Sequence, residues 1–222
     1  IDEGIKGYRD EAIELVKEYC SSMNIDNMIV SFKELFDFEL DEIVRIKSNS
    51  PLSACAYCGV LRRRAMDKAA KMVKASKIAT AHNIDDEVQT FLLNLFHGDT
   101  ARMARIEPIL KDPTGKFLTR VKPLCEIMEK EIALYAYLKN IKFQSISCPY
   151  VTTSLRNDIR SMLNKLDERH PGIKYILYRS AEKIRGPLKA TLKKVELKTC
   201  MLCGEVTTNE VCEVCKMVKG LK

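Results

Sequence analysis

Apolar residues recur at helical spacing between Tyr8 and Met23, where Ile13, Val16, Tyr19 and Cys20 fall in phase, and a short apolar run, Met28-Ile-Val-Ser-Phe32, comes next. The pattern predicts a helix followed by a strand. It then repeats: Gly59 to Ala75 reads as a basic amphipathic helix, Lys77-Ile-Ala-Thr-Ala81 as a short buried strand, and Asp85 to Phe96 as another helix. Helices alternating with short apolar strands predict an α/β fold, a parallel sheet with helices on both faces. Further helices are expected over 126–140, 157–168 and about 174–182, with Pro171-Gly172 punctuating between the last two. The Lys-rich stretch 183–198, which carries Gly186-Pro187, is the expected connection to a small C-terminal unit.

That unit is defined by cysteine spacing. Cys200-Met-Leu-Cys203 and Cys212-Glu-Val-Cys215 are two Cys-x-x-Cys pairs, and two residues between sulfurs let both reach one ion from a single tight turn. Gly204 follows Cys203 where a sharp turn favours a residue that tolerates positive φ. Cys200, Cys203, Cys212 and Cys215 are therefore expected to hold zinc in a ribbon, with surface disulfides as the alternative. A third pair, Cys55-Ala-Tyr-Cys58, has no second pair beside it. On spacing it could be a redox dithiol, a zinc half-site or part of an iron–sulfur site. Cys148, in Ser147-Cys148-Pro149-Tyr150, lies in a loop and could supply a third ligand to that pair. Cys20 and Cys125 occupy apolar helix positions and read as ordinary buried cysteines.

At 222 residues and 46% hydrophobic content the chain can bury one substantial core plus an appendage. Neither a signal peptide nor a long apolar stretch is present, so a soluble, cytoplasmic protein with no membrane partner is expected. Nine cysteines without a secretory leader favour a reducing compartment. The formal charge of +7 is uneven: residues 1–50 hold 6 Lys/Arg against 12 Asp/Glu, leaving 31 against 18 in the remainder. So basic a body suits a polyanion such as RNA, or is simply a solvated Lys-rich surface.

Two polar stretches carry candidate chemistry. In Ala79-Thr-Ala-His-Asn-Ile-Asp-Asp-Glu87 a strand runs into a polar turn and then a helix. The carboxyl end of a parallel strand and the free N–H groups of the next helix suit a nucleotide phosphate. The alternative is that Asn83 or Asp85 caps the helix while Asp86 and Glu87 complement its dipole. The other stretch is basic, with Arg62-Arg63-Arg64 and, later, Arg102 with Arg105. Arg62 lies one helical turn from Cys58, on the same side, where a cation would hold an anion beside the thiols.

Together these residues resemble the archaeal and eukaryotic-type tRNA uridine 2-thiolation enzymes, the TtuA/NcsA branch of the PP-loop ATPases. The matching stretches are Asp2-Glu-Gly-Ile-Lys-Gly-Tyr-Arg9, Cys55-Ala-Tyr-Cys58-Gly59, Ala79 to Glu87 with Gln89-Thr90 and Asn94, His97-Gly98-Asp99, Cys148-Pro-Tyr150, His170-Pro-Gly172 and the terminal ribbon. They span nearly the whole chain in the family's order. The resemblance implies a Rossmann-like PP-loop ATPase (HUP-type) domain over 1–182, a linker at 183–198 and a zinc ribbon at 199–222. It implies ATP with Mg2+, a [4Fe-4S] cluster on Cys55, Cys58 and Cys148, and Zn2+ in the ribbon. It implies tRNA as substrate, a ubiquitin-like sulfur carrier or free sulfide as donor, and a homodimer.

The implied reaction is adenylation of the uridine C2 oxygen and its replacement by sulfur, with an open iron on the cluster. Asp86 and Arg62 would be catalytic, and His82, Asn83, Asp85 and Asp86 would line the nucleotide site. The family's phosphate-cradling Ser-Gly-Gly-x-Asp-Ser loop and its N-terminal zinc finger are not in these residues, and the chain starts at Ile1, so an N-terminal part is expected to be missing. Arg62 stands where relatives often have Lys and His97 where they often have Arg; Arg stays charged and cannot shuttle a proton as Lys does. Two other classes remain open on the residues alone: a non-catalytic zinc-ribbon RNA-binding module, and a thiol-redox protein using Cys55 and Cys58.

Overall fold

A computed structural model describes residues 1–111, 115, 117–151, 154–192 and 196–221. In chain order the elements are α1 (Arg9–Ser22), α2 (Phe32–Phe36), α3 (Leu40–Ile46), α4 (Ala54–Met72), β1 (Lys77–Ala79), α5 (Ile84–Phe96), α6 (Thr100–Met103), β2 (Ile109–Leu110), β3 (Thr119–Val121), α7 (Glu129–Leu138), α8 (Leu155–Arg169), α9 (Ile173–Thr191), β4 (Lys198–Thr199), β5 (Val206–Thr207) and α10 (Glu213–Lys219). They gather into two units. The first takes in Ile1–Ala75, Asn140–Val151 and Val195–Lys222; the second takes in Ser76–Lys139 and Thr152–Lys194.

The first unit is helical around a core of Ile5, Phe32, Phe36, Leu40, Ile43, Tyr57, Leu61 and Ala65. On α4, Tyr57, Leu61 and Ala65 recur every four residues, which puts them on one face. Each large side chain so buried contributes about 1.5–3 kcal/mol. Phe32 and Phe36 meet edge to face at 5.6 Å. Gly4 closes the start of the chain against α3, where a Cβ would sit 2.6 Å from the Glu39 side chain and φ is +69°, so no other residue fits without strain. Val214, Met217, Val218 and Leu221, from α10 and the residues after it, pack on this same core.

In the second unit, Ile84, Val88, Phe91 and Leu92 of α5 pack with Ile159 and Leu163 of α8 and Tyr178 and Ala181 of α9. Beside them lies a three-stranded sheet in the order β1-β3-β2. β1 runs parallel to β3, with Lys77 opposite Thr119 and Ala79 opposite Val121, while β2 runs antiparallel. Among the described residues no helix is long and apolar enough to cross a membrane.

Four local expectations change. The sheet is small and mixed, not parallel throughout. The run Met28–Phe32 makes only a parallel bridge between Ser31 and Asp2. Ser31 caps α2 instead: its hydroxyl accepts from the Glu34 N–H at 3.1 Å and the Glu34 carboxylate accepts from the Ser31 N–H at 2.9 Å, drawing Phe32 into a helix. α4 begins at Ala54, five residues before the expected start, because Ser53 accepts from the Ala56 N–H at 3.3 Å. And α9 continues through Gly186-Pro187 to Thr191, so much of the expected connection is helical; residues 193–195 lie outside the described residues.

Candidate functional site

Because α4 starts at Ala54, Cys55 and Cys58 stand one turn apart on a helix and not in a turn ahead of it. Cys58 is buried among the core side chains, and Cys148 packs against the same core. The turn that carries Cys148 closes with the Val151 N–H donating to the Cys148 carbonyl at 3.1 Å, around Pro149. Cys55 Sγ donates to the Tyr150 carbonyl at 3.6 Å. The Tyr150 hydroxyl donates to Asp41 Oδ1 at 2.7 Å, and burial with this carboxylate pushes the phenol up to about 12, so it stays a donor.

Arg62 stands one turn beyond Cys58, as its spacing predicts, and its Nη2 donates to Cys58 Sγ at 3.1 Å. Its Nε pairs with Glu3 Oε1 at 2.7 Å, and Arg9 pairs with the other Glu3 oxygen. Glu3 is 1% exposed, a buried carboxylate between two guanidinium groups. Burial pushes the Cys58 thiol up to about 11 against the pull of Arg62. Glu3 and Asp41 are the residues that sequence reasoning missed as parts of this site. Both lie in acidic surroundings of residues 1–50, and only the fold shows which acids turn inward.

The ribbon is built more tightly. β4 pairs antiparallel with β5, and Gly204 (φ +73°) turns the chain as its N–H donates to the Cys200 carbonyl at 2.9 Å. The sulfur atoms of Cys200, Cys203, Cys212 and Cys215 all lie within 4.8 Å of one another, and Cys203 and Cys212 are 3.7 Å apart. Four thiolates around one tetrahedral zinc, each at 2.3 Å, stand about 3.8 Å apart, so the set fits that ion. The Cys212 N–H reaches Cys200 Sγ at 3.3 Å, and this and neighbouring N–H groups hold the Cys200 thiol down to about 6. Burial and adjacent thiols push Cys215 the other way, a conflict that a dication among the sulfurs removes.

Among the described residues Cys55, Cys58 and Cys148 form no such tight set. They are nonetheless three thiols supplied to one core by one turn of α4 and one loop, the donor type that iron–sulfur clusters take.

In the second unit, the turn after β1 splits its polar residues among different partners. His82 is exposed and its Nδ1 lies 2.8 Å from Thr80 Oγ1. Asn83 and Asp86 cap α5 reciprocally, each side chain accepting from the other's N–H, at 3.0 and 3.1 Å. Asp85, 3% exposed, pairs with Lys174 and accepts from the Glu129 N–H at 2.8 Å; Lys174 also donates to Asn164 Oδ1 at 2.8 Å. Glu87, equally buried, pairs with Lys122 at 2.7 Å. Of the four residues expected to face a nucleotide, His82 is open to solvent, Asn83 and Asp86 are partly so, and Asp85 is buried in an ion pair. Cys125 is buried in the turn before α7, where the Tyr178 hydroxyl donates to its sulfur at 3.7 Å, and Cys20 is only half-buried on α1.

Comparison with known proteins extends over the whole chain. A PP-loop domain profile matches residues 1–166. The tRNA 2-thiolation protein NcsA of Haloferax volcanii is 34% identical over 231 residues, which take in 100% of this chain and 72% of that protein. Cytoplasmic tRNA 2-thiolation protein 1 of Drosophila melanogaster is 38% identical over 221 residues, 63% of its length, again with all of this chain covered. Among solved structures, the U34-tRNA thiolase NcsA from Methanococcus maripaludis with its [4Fe-4S] cluster superposes with a TM-score of 0.81 at 33% identity, covering 99% of this chain and 68% of that one. The chain thus spans roughly two thirds of the relatives it matches, in some a little less.

Proposed function

The chain belongs to the PP-loop domain family, and we propose that it forms the greater part of a tRNA uridine 2-thiolation enzyme, a sulfurtransferase. One observation carries the proposal: Cys148 returns from a distant loop to the core that holds Cys58, in a chain similar throughout to a thiolase solved with a [4Fe-4S] cluster.

In this function the uridine C2 oxygen attacks the α-phosphorus of Mg2+-bound ATP and pyrophosphate leaves. A sulfur nucleophile, delivered by a sulfur carrier or as free sulfide, then attacks C2. The new C–S bond forms as AMP departs with the oxygen. Cys55, Cys58 and Cys148 would hold the cluster as thiolates and would not themselves attack. When bound, a cluster with three protein ligands supplies an iron at which sulfur can be readied. Arg62, fixed by Glu3, keeps a positive charge beside Cys58 that favours an anion there. His82, Asn83 and Asp86 would face the nucleotide or the target base, while Asp85 serves through its pair with Lys174, which fixes the start of α5. Cys200, Cys203, Cys212 and Cys215 would hold zinc, and the basic body would grip tRNA through its phosphates.

The test is anaerobic reconstitution of a chain extended to the relatives' full length, followed by iron, sulfide and zinc counts and by tRNA thiolation with ATP and sulfide. Iron uptake with ATP-dependent 2-thiouridine is the expected result. A protein that binds tRNA and zinc but takes up no iron and forms no thiouridine would return the chain to an RNA-binding module.

A further inference from the structure

The third cysteine of the site comes from a segment with no regular secondary structure, residues 141–149, so something other than a backbone ladder must hold Cys148 in place. Its outlying side-chain ties are Gln144 to the Tyr8 carbonyl and Lys142 to Glu18 at 3.0 Å, both before Cys148. Beyond it, the Tyr150 hydroxyl reaches Asp41 Oδ1 at 2.7 Å. The second oxygen of the same carboxylate, Oδ2, accepts from the Lys6 N–H at 3.0 Å. The segment so held includes Glu3, whose carbonyl accepts from the Leu40 N–H at 2.8 Å and whose side chain grips Arg62, the donor to Cys58. Both flanks of the cysteine site are therefore referenced to one carboxylate: Cys148 through Tyr150, and Cys58 through the Glu3 segment and Arg62.

We infer that Asp41 is a positioning residue for the cysteine site, and that its hydrogen bond from Tyr150 sets Cys148 against the helix bearing Cys55 and Cys58. The inference rests on the proposal that the three cysteines act together. It does not require a nucleotide, tRNA or turnover.

Tyr150→Phe isolates the bond, because the ring that packs on the core stays and only the hydroxyl leaves. In the iron-free full chain, alkylation by iodoacetamide read by peptide mass spectrometry should run several-fold faster at Cys148 in Y150F, with Cys58 unchanged. In the anaerobically loaded chain, a ferrous chelator should strip iron on the order of tenfold faster from Y150F than from the unaltered protein, as expected for loss of a hydrogen bond to a carboxylate. Ile43→Val trims the same core from the helix that carries Asp41 and leaves the Tyr150 hydrogen bond intact, so it controls for general loosening and should release iron near the unaltered rate. Asp41→Asn, which keeps an acceptor for the tyrosine, should lie between. Cys148 alkylation in Y150F equal to that of the unaltered chain, or iron release from Y150F no faster than from I43V, overturns the inference. An unaltered chain that takes up no iron while Y150F still speeds Cys148 alkylation keeps Asp41 as the positioner of that loop and defeats the cluster.

Discussion

In the ribbon, four sulfurs come from residues 200–215 and crowd within 4.8 Å of one another; on α4, two come from one helical turn and the third from residue 148. The spacing inside each Cys-x-x-Cys pair is the same, yet the ribbon's geometry is written locally, by a hairpin, one glycine and a helix cap. The α4 site is assembled by tertiary packing and by two acids, Glu3 and Asp41, that lie 52 and 14 residues before Cys55. A site made locally should keep its ligand geometry when distant supports are lost, and an assembled one should fail whenever any of its separate supports is removed.

The largest effect follows from that difference. Cys55→Ala, Cys58→Ala or Cys148→Ala should each bring iron to background in the reconstituted chain while zinc stays at the content of the unaltered chain, measured by metal analysis. If a variant keeps full iron, the three cysteines are not one site. Next comes zinc itself. A structural zinc of this kind contributes on the order of 10 kcal/mol to the fold of its own ligand loop, so chelating it should abolish amide-exchange protection across 198–221. Protection of 54–72 should weaken as well, because α10 packs on the core of α4; unchanged exchange there would make the ribbon independent after all.

The second unit carries the same contrast on a smaller scale. Lys174→Met leaves Asp85 buried without its partner and should cost roughly 3–5 kcal/mol in urea unfolding, the penalty for breaking an ion pair assembled from distant residues. Asp86→Ala removes half of a local capping box whose other half, Asn83, remains, and should cost about 1 kcal/mol or less. In the extended protein the same change should eliminate tRNA thiolation despite its mildness to the fold. Near-normal thiolation by Asp86→Ala would leave Asp86 as a cap and nothing more.

This division also decides what could be seen in the sequence. The gathering of the four ribbon cysteines was legible, because cysteine spacing and Gly204 specify it within a few residues, whereas the packing of α10 on the α4 core was not. So were α1, α5 and the place of Arg62 beside Cys58, which rest on helical periodicity. The start of α4 was missed because Ser53 caps it ahead of a Cys-x-x-Cys pair that reads equally well as a turn. The Met28–Phe32 strand was lost to the Ser31–Glu34 capping box, a local signal that outcompeted an apolar run. Cys148 stood out as a possible third ligand from its loop setting and was tied to the other two by family resemblance, and Asp85 and Asp86, adjacent and chemically alike, went to a buried pair and a cap according to which side of α5 they meet. No pattern in the chain marks Asp41 among the twelve acids of residues 1–50, and Glu3 stands out only as one member of the stretch Asp2 to Arg9 that carries the resemblance.

The packing of α10 bears on anyone who shortens this protein for study. A cut after Lys198 looks conservative, since it discards a tail with three Lys against three Glu and a self-contained metal knot. It would also strip Val214, Met217, Val218 and Leu221 from the hydrophobic centre that seats Cys58, and remove Glu205, the partner of Arg64 and Lys71 on α4. Colourless, iron-poor preparations of such a truncated protein would then report a damaged scaffold and say nothing against Cys55, Cys58 and Cys148 as ligands.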